Sequence, residues 1–123
     1  MNDTVQDSSR SRDVDRHFAG RSQNVRSIYD AVLKAAHTIG KFVEVPKKTS
    51  IHLDRRSAFA GIMTRRDHLV LTLKSASDID DGRISRREQT SANRWHHELK
   101  LDSPGEVDDQ VVEWLRAAYE ISG

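Results

Sequence analysis

Along residues 24–121 the spacing of apolar side chains changes from a helical repeat to strict alternation and then back again. A period of 3.6 lines one stripe of a helix and a period of 2 lines one face of a sheet, so a chain that uses both in this order has to pack helices on a sheet. In residues 24–39, NVRSIYDAVLKAAHTI, the side chains Val25, Ile28, Tyr29, Val32, Ala35, Ala36 and Ile39 share a helical face. Ser22 is placed as its N-cap, with Asn24 competing, and Gly40 stands where a left-handed C-cap belongs. The second helix is announced by SPGE at 103–106, where Ser103 caps, Pro104 takes the first helical position and Glu106 completes a capping box. Val107, Val111, Trp114, Leu115, Ala118 and Ile121 then mark its apolar face.

Between the helices, side chains alternate. TSIHL at 49–53 puts Ile51 and Leu53 opposite His52, and HLVLTLK at 68–74 puts Leu69, Leu71 and Leu73 opposite His68, Val70, Thr72 and Lys74. SAFAGIMT at 57–64 is apolar on both sides, with Phe59 and Met63 on one and Ala58, Ala60 and Ile62 on the other, as suits an interior strand. FVEV at 42–45, ended by Pro46, reads as a short first strand. RWHHELKL at 94–101 reads as a last one, with Trp95, His97, Leu99 and Leu101 facing the core and His96 and Glu98 facing away. Residues 75–92, whose only large apolar side chains are Ile79 and Ile84, read as a mobile loop, and residues 1–21 as a flexible polar tail. The expected fold is a single α+β domain over 22–123, ordered α-β-β-β-β-β-α. A four- to five-stranded antiparallel sheet carries the N-terminal and C-terminal helices on one face and leaves the other open.

Composition removes several functions. The absence of cysteine excludes disulfides, thiol nucleophiles and thiolate metal sites. No apolar run is long enough for a membrane span and the N-terminal residues lack the core of a signal peptide, so a cytoplasmic protein without membrane partners is expected, a monomer or homodimer. The glycines are scattered, which leaves no dinucleotide fingerprint or phosphate loop. No serine sits in a nucleophile elbow, and Asp80 and Asp81 lie in a solvated segment. No cofactor is implied, and the chain reads as a binding module rather than an enzyme.

Charge is where the sequence points to a partner. Residues 41–66 hold seven cations against Glu44 and Asp54, whereas 102–120 hold six acids against Arg116. Much of the acidic excess serves the helix dipole. In an antiparallel sheet, hairpin geometry places Lys47 and Lys48 at the same end as Arg65 and Arg66, and opposite Arg55 and Arg56. Lys47, Lys48, Arg65 and Arg66 are therefore the candidate contact for an acidic partner, an acidic protein or a nucleic acid. The alternative is a metal-binding protein or an enzyme built on His52, His68 and His96, which share the open face with Glu98 and meet only if strand order brings them together. The adjacent His96 and His97 cannot share a metal, because neighbours on a strand face opposite ways.

Four stretches, HFAGRSQNVRSIYDAVLKAA (17–36), VEVPKKTSIHL (43–53), AFAGIMTRRDHLVLTL (58–73) and DSPGEVDDQVVEWLRAAYE (102–120), resemble the bacterial domain-of-unknown-function family 5655. The resemblance spans about residues 17–121 and carries no catalytic signature. It implies a small domain of this type, some of whose relatives are labelled predicted transport proteins, with no activity or cofactor attached. It also singles out Lys47, Lys48 and Thr49 after Pro46, Phe59, and the HFAGR segment, as positions with more than a core role. The Arg-rich region 83–94 departs from the family pattern.

Overall fold

The helical repeat at 24–39 folds as helix α2 (Gln23–Ile39), which buries Val25, Ile28, Tyr29, Val32 and Ala36 in this computed structural model, which describes residues 2–123. Ser22 and Gly40 stand at its two ends as expected, but neither works in the expected way. Ser22 makes no side-chain cap, while the Asn24 amide donates to the Asp67 and Asp102 carbonyls (3.2 and 2.8 Å) and anchors the helix start to the sheet. Gly40 is extended (φ 171°, ψ −174°) rather than left-handed. Its lack of a side chain serves close approach instead, since a Cβ there would lie 2.5 Å from the Tyr119 hydroxyl, which donates to the Lys41 carbonyl (2.8 Å).

The alternating segments form strands β1 (Val43–Pro46), β2 (Ile51–Asp54), β3 (Ala58–Thr64), β4 (Leu69–Ser75), β5 (Ile84–Ser91) and β6 (Arg94–Leu101). They make one antiparallel sheet in the order β1-β2-β3-β4-β6-β5. The sheet is thus one strand wider than expected. β5 lies within the segment read as a mobile loop; all of its residues except Ile84 are exposed, so no apolar alternation announces it, and its order comes from backbone pairing with β6. The hairpins at 54–57 and 65–68 form as expected.

One parity error matters for function. Leu53 pairs with Ala60 but Asp54 pairs with Ala58, so Phe59 is the extra residue of a β-bulge. The bulge turns Phe59 towards the helices, where it meets Phe42 and Tyr119 edge-on at 6.0 and 5.2 Å, instead of leaving it on Met63's side.

The polar N-terminal segment carries helix α1 (Asn2–Asp15) and a 3-10 turn (Arg16–Phe18), where irregular chain is expected; residue 1 and the side chains of residues 2–8 lie outside the described part. Val14 is buried in the core and Phe18 packs at its margin, 5.1 Å from the Tyr29 ring. At the other end, SPGE forms a separate 3-10 turn (Pro104–Glu106), and helix α3 (Asp109–Glu120) begins after a break at Val107. Asp108 rather than Ser103 is its cap, accepting from the Val111 N–H at 3.1 Å, while Glu106 still reaches back to the Asp102 N–H at 2.6 Å. Bonding to Val111, helped by Arg83 at 3.0 Å, holds the Asp108 carboxyl below its usual range.

The core lies on one side of the sheet. Ile51, Leu53, Ile62, Leu71, Leu73 and Leu99 face Ile28 and Val32 of α2 and Val111 and Leu115 of α3, all fully buried. Each such side chain is worth roughly 1.5–3 kcal/mol on leaving water. His97 is also fully buried there, stacked on Trp95, with Nε2 at 3.0 Å from Asp78 Oδ1 and from the Ile79 N–H. That contact, together with Arg87 Nε on Asp78 at 3.3 Å, ties the connection before β5 to the sheet.

Candidate functional site

Two regions outside the core gather chemistry, an end of the sheet and its open face. At the end, the β1–β2 and β3–β4 turns lie side by side because successive strands are antiparallel. The turns are closed by Lys47 N–H to Ser50 O (2.7 Å) and Arg65 N–H to His68 O (2.9 Å). Tight closure turns Lys47, Lys48, Arg65 and Arg66 outward, and all four are exposed. None of them forms a salt bridge among the described residues.

The 3-10 turn and the residues just after it add to this end two side chains that sequence reasoning missed, His17 and Arg21. His17 Nε2 donates to the Lys47 carbonyl (2.9 Å), and the Thr64 hydroxyl donates to the His17 carbonyl while accepting from Arg21 Nε at 3.2 Å. The Ser22 N–H closes the arrangement on the Arg66 carbonyl (2.8 Å). His17 and Arg21 lie in the polar segment set aside as a tail, and only the HFAGR stretch hinted at them. The opposite end is occupied differently. Arg55 stacks on Tyr119 (4.4 Å) and donates to its carbonyl (3.1 Å), so its charge complements the negative end of α3, while the backbone N–H groups of Arg56 and Ser57 bind the Ser122 carbonyl.

The open face holds a shallow hollow of about 250 Å³ across β2, β3, β4 and β6. It exists because β3 presents little bulk there: the bulge turns the Phe59 ring towards the helices, so Phe59 only borders a hollow whose other β3 lining residues are Ala58, Ala60, Gly61 and Met63. His52 and Thr72 are the cross-strand partners of Gly61, and Lys74 pairs with His96 at one rim. Lys74 Nζ donates to Ser57 Oγ at 2.9 Å. Burial and the neighbouring Arg94 lower its pKa, and Asp54 opposes them.

The histidines of the metal reading are not gathered. His52 and His96 line opposite rims with β3 and β4 between them, about 14 Å between strand axes at ordinary sheet spacing. His68 belongs to the β3–β4 turn. No group of three or more His, Cys, Asp or Glu among the described residues is placed to hold a metal ion.

A family model described as Domain of unknown function (DUF5655) matches residues 14–122. The chain belongs to the DUF5655 family. The DUF5655 match starts at Val14, and both the basic end and the hollow lie inside it. No curated protein and no solved structure matches the chain. Among the described residues, no helix of this DUF5655 protein is long and apolar enough to cross a membrane.

Proposed function

We propose that this protein is a non-enzymatic binding module that docks an acidic partner on the basic end of its sheet. The observation that carries this reading is that Lys47, Lys48, Arg65 and Arg66 converge on one end, exposed and without a carboxylate partner among the described residues. Arg21 and His17 extend the same surface. Their hydrogen bonds to Thr64 and Lys47 hold the turns in place, so the cations are displayed on a fixed frame rather than on loose loops. Three arginines elsewhere have internal work: Arg83 grips Asp108, Arg26 grips Asp15, and Arg55 covers Tyr119.

Four phosphate contacts on duplex DNA give a salt slope near −3.6, so binding weakens about fiftyfold when salt is tripled. Anisotropy titrations with labelled duplex DNA, single-stranded RNA and a polyglutamate peptide at 50 and 150 mM salt, concentrations chosen on the order of the usual range, measure that slope and select the partner class. The double variant Lys47→Ala/Lys48→Ala is expected to flatten the slope by about half while leaving the melting temperature unchanged. Absence of salt-sensitive binding to all three probes, or undiminished binding by the double variant, sinks the reading.

A further inference from the structure

We propose that the hollow on the open face binds a small carboxylic acid with a compact apolar body, a single aromatic ring or a short aliphatic chain. The first support is Gly61. It lies mid-strand in β3, between His52 on β2 and Thr72 on β4. Glycine there loses more entropy on folding than any other residue and packs nothing. Its backbone does not call for it, since Gly20 is the only glycine with positive φ among the described residues. Crowding does not call for it either, because a Cβ would meet His52 Cδ2 and Thr72 Cβ at 3.8 Å, ordinary contact. A strand glycine without a reason inside the domain is explained by close approach of something from outside.

The second support is charge. Among the described residues, Lys74 forms no salt bridge; its ammonium contacts only Ser57 Oγ. Arg94 stands near enough to weaken its hold on a proton, and Asp54 compensates in part. Two neighbouring cations, one of them half-buried, favour an anion between them. His96, the cross-strand partner of Lys74, supplies a further N–H. The floor formed by Ala58, Gly61 and Met63 is apolar, which a free phosphate would not use. At about 250 Å³ the hollow takes a ring or short chain over Gly61, with the carboxylate at Lys74.

The test is an NMR titration of the full chain with benzoate and hexanoate, with benzyl alcohol as the neutral control and inorganic phosphate as the purely anionic one. Saturable shifts of the Gly61 amide and the His52 and His96 rings are expected for at least one acid, with both controls binding at least about tenfold more weakly. Lys74→Met keeps the aliphatic stem and removes the charge; it is expected to weaken the acid about tenfold with the core resonances unmoved. Gly61→Ala, whose methyl fits without displacing a neighbour, is expected to lower affinity several-fold by filling the floor. No saturable shift with either acid, equal binding of benzyl alcohol or phosphate, or full affinity in Lys74→Met overturns the proposal. So does loss of acid binding in Lys47→Ala/Lys48→Ala, which separates this site from the basic end.

Discussion

The two faces of the sheet are written by the same strands yet filled to opposite degrees. On the helix side Leu69, Leu71, Leu73, Leu99 and Leu101 are wholly buried and interlock with α2 and α3. On the other side the intervening residues are Val70, Thr72, Lys74, His96, Glu98 and Lys100, and the residues β3 offers there are Ala58, Gly61 and Met63. Because side chains alternate strictly, one face can carry the stability while the other is released from it. The released face is where the hollow lies, and the turns that join the strands are where Lys47, Lys48, Arg65 and Arg66 lie.

The largest expected effect tests the filled face. Leu71 pairs with Ile62 and Leu99 at the centre of the sheet and is fully buried. Leu71→Ala leaves a cavity under both helices and is expected to cost roughly 2–5 kcal/mol in chemical denaturation. Thr72→Ala, one residue away on the open face, is expected to change stability by about 0.5 kcal/mol or less. Comparable losses at the two positions would show that the open face is structural after all.

An intermediate effect belongs to the seam where the β5 approach meets α3. Asp108 caps α3 and receives Arg83, whose guanidinium also donates to the Glu106 carbonyl (2.7 Å) and lies 5.9 Å from the Trp114 ring. The ion pair is half exposed and adds little, so the cap dominates. Asp108→Ala is expected to cost about 1 kcal/mol at neutral pH. The folded protein holds this carboxyl below its ordinary 3.8, so its stabilisation is complete above that value and fades as pH falls through the lower, folded one. Denaturation of both proteins from pH 7 down to pH 2, a span on the order of the carboxylate range, is therefore expected to show their difference narrowing only below about pH 4.

What could be read from the sequence follows the same division. Helix α2 and strands β2, β4 and β6 each bury one face, so their apolar period is visible and their faces are assigned correctly for Ile51, Leu71, His97 and Leu99. The shared end of Lys47, Lys48, Arg65 and Arg66 follows from hairpin order alone. Strand β5 buries neither face, and the N-terminal segment is held by Val14, Phe18 and a few backbone contacts, so neither leaves a period to detect. Phe59 is the instructive failure: a single bulged residue inverts the parity read along β3, and with it the knowledge that the open face is empty there. Gly61 was the available signal, because an interior strand seldom keeps a glycine for its own sake.

The smallest effect, and the one with the unusual sign, sharpens that last point. In the middle of a strand, alanine is favoured over glycine by roughly 0.5–1 kcal/mol through backbone entropy, provided the methyl meets no obstacle. At position 61 the methyl would touch His52 and Thr72 at 3.8 Å and displace nothing. Gly61→Ala is therefore expected to raise stability by that amount, read as a small increase in denaturation midpoint with unchanged slope. Gly40→Ala provides the contrast, because its methyl would collide with the Tyr119 ring, and it is expected to destabilise. A stabilised Gly61→Ala variant separates the two glycines physically: one is demanded by packing inside the domain, and the other holds open space that packing does not use. A destabilised one would return Gly61 to the framework and leave the hollow an incidental consequence of how β3 fits between β2 and β4.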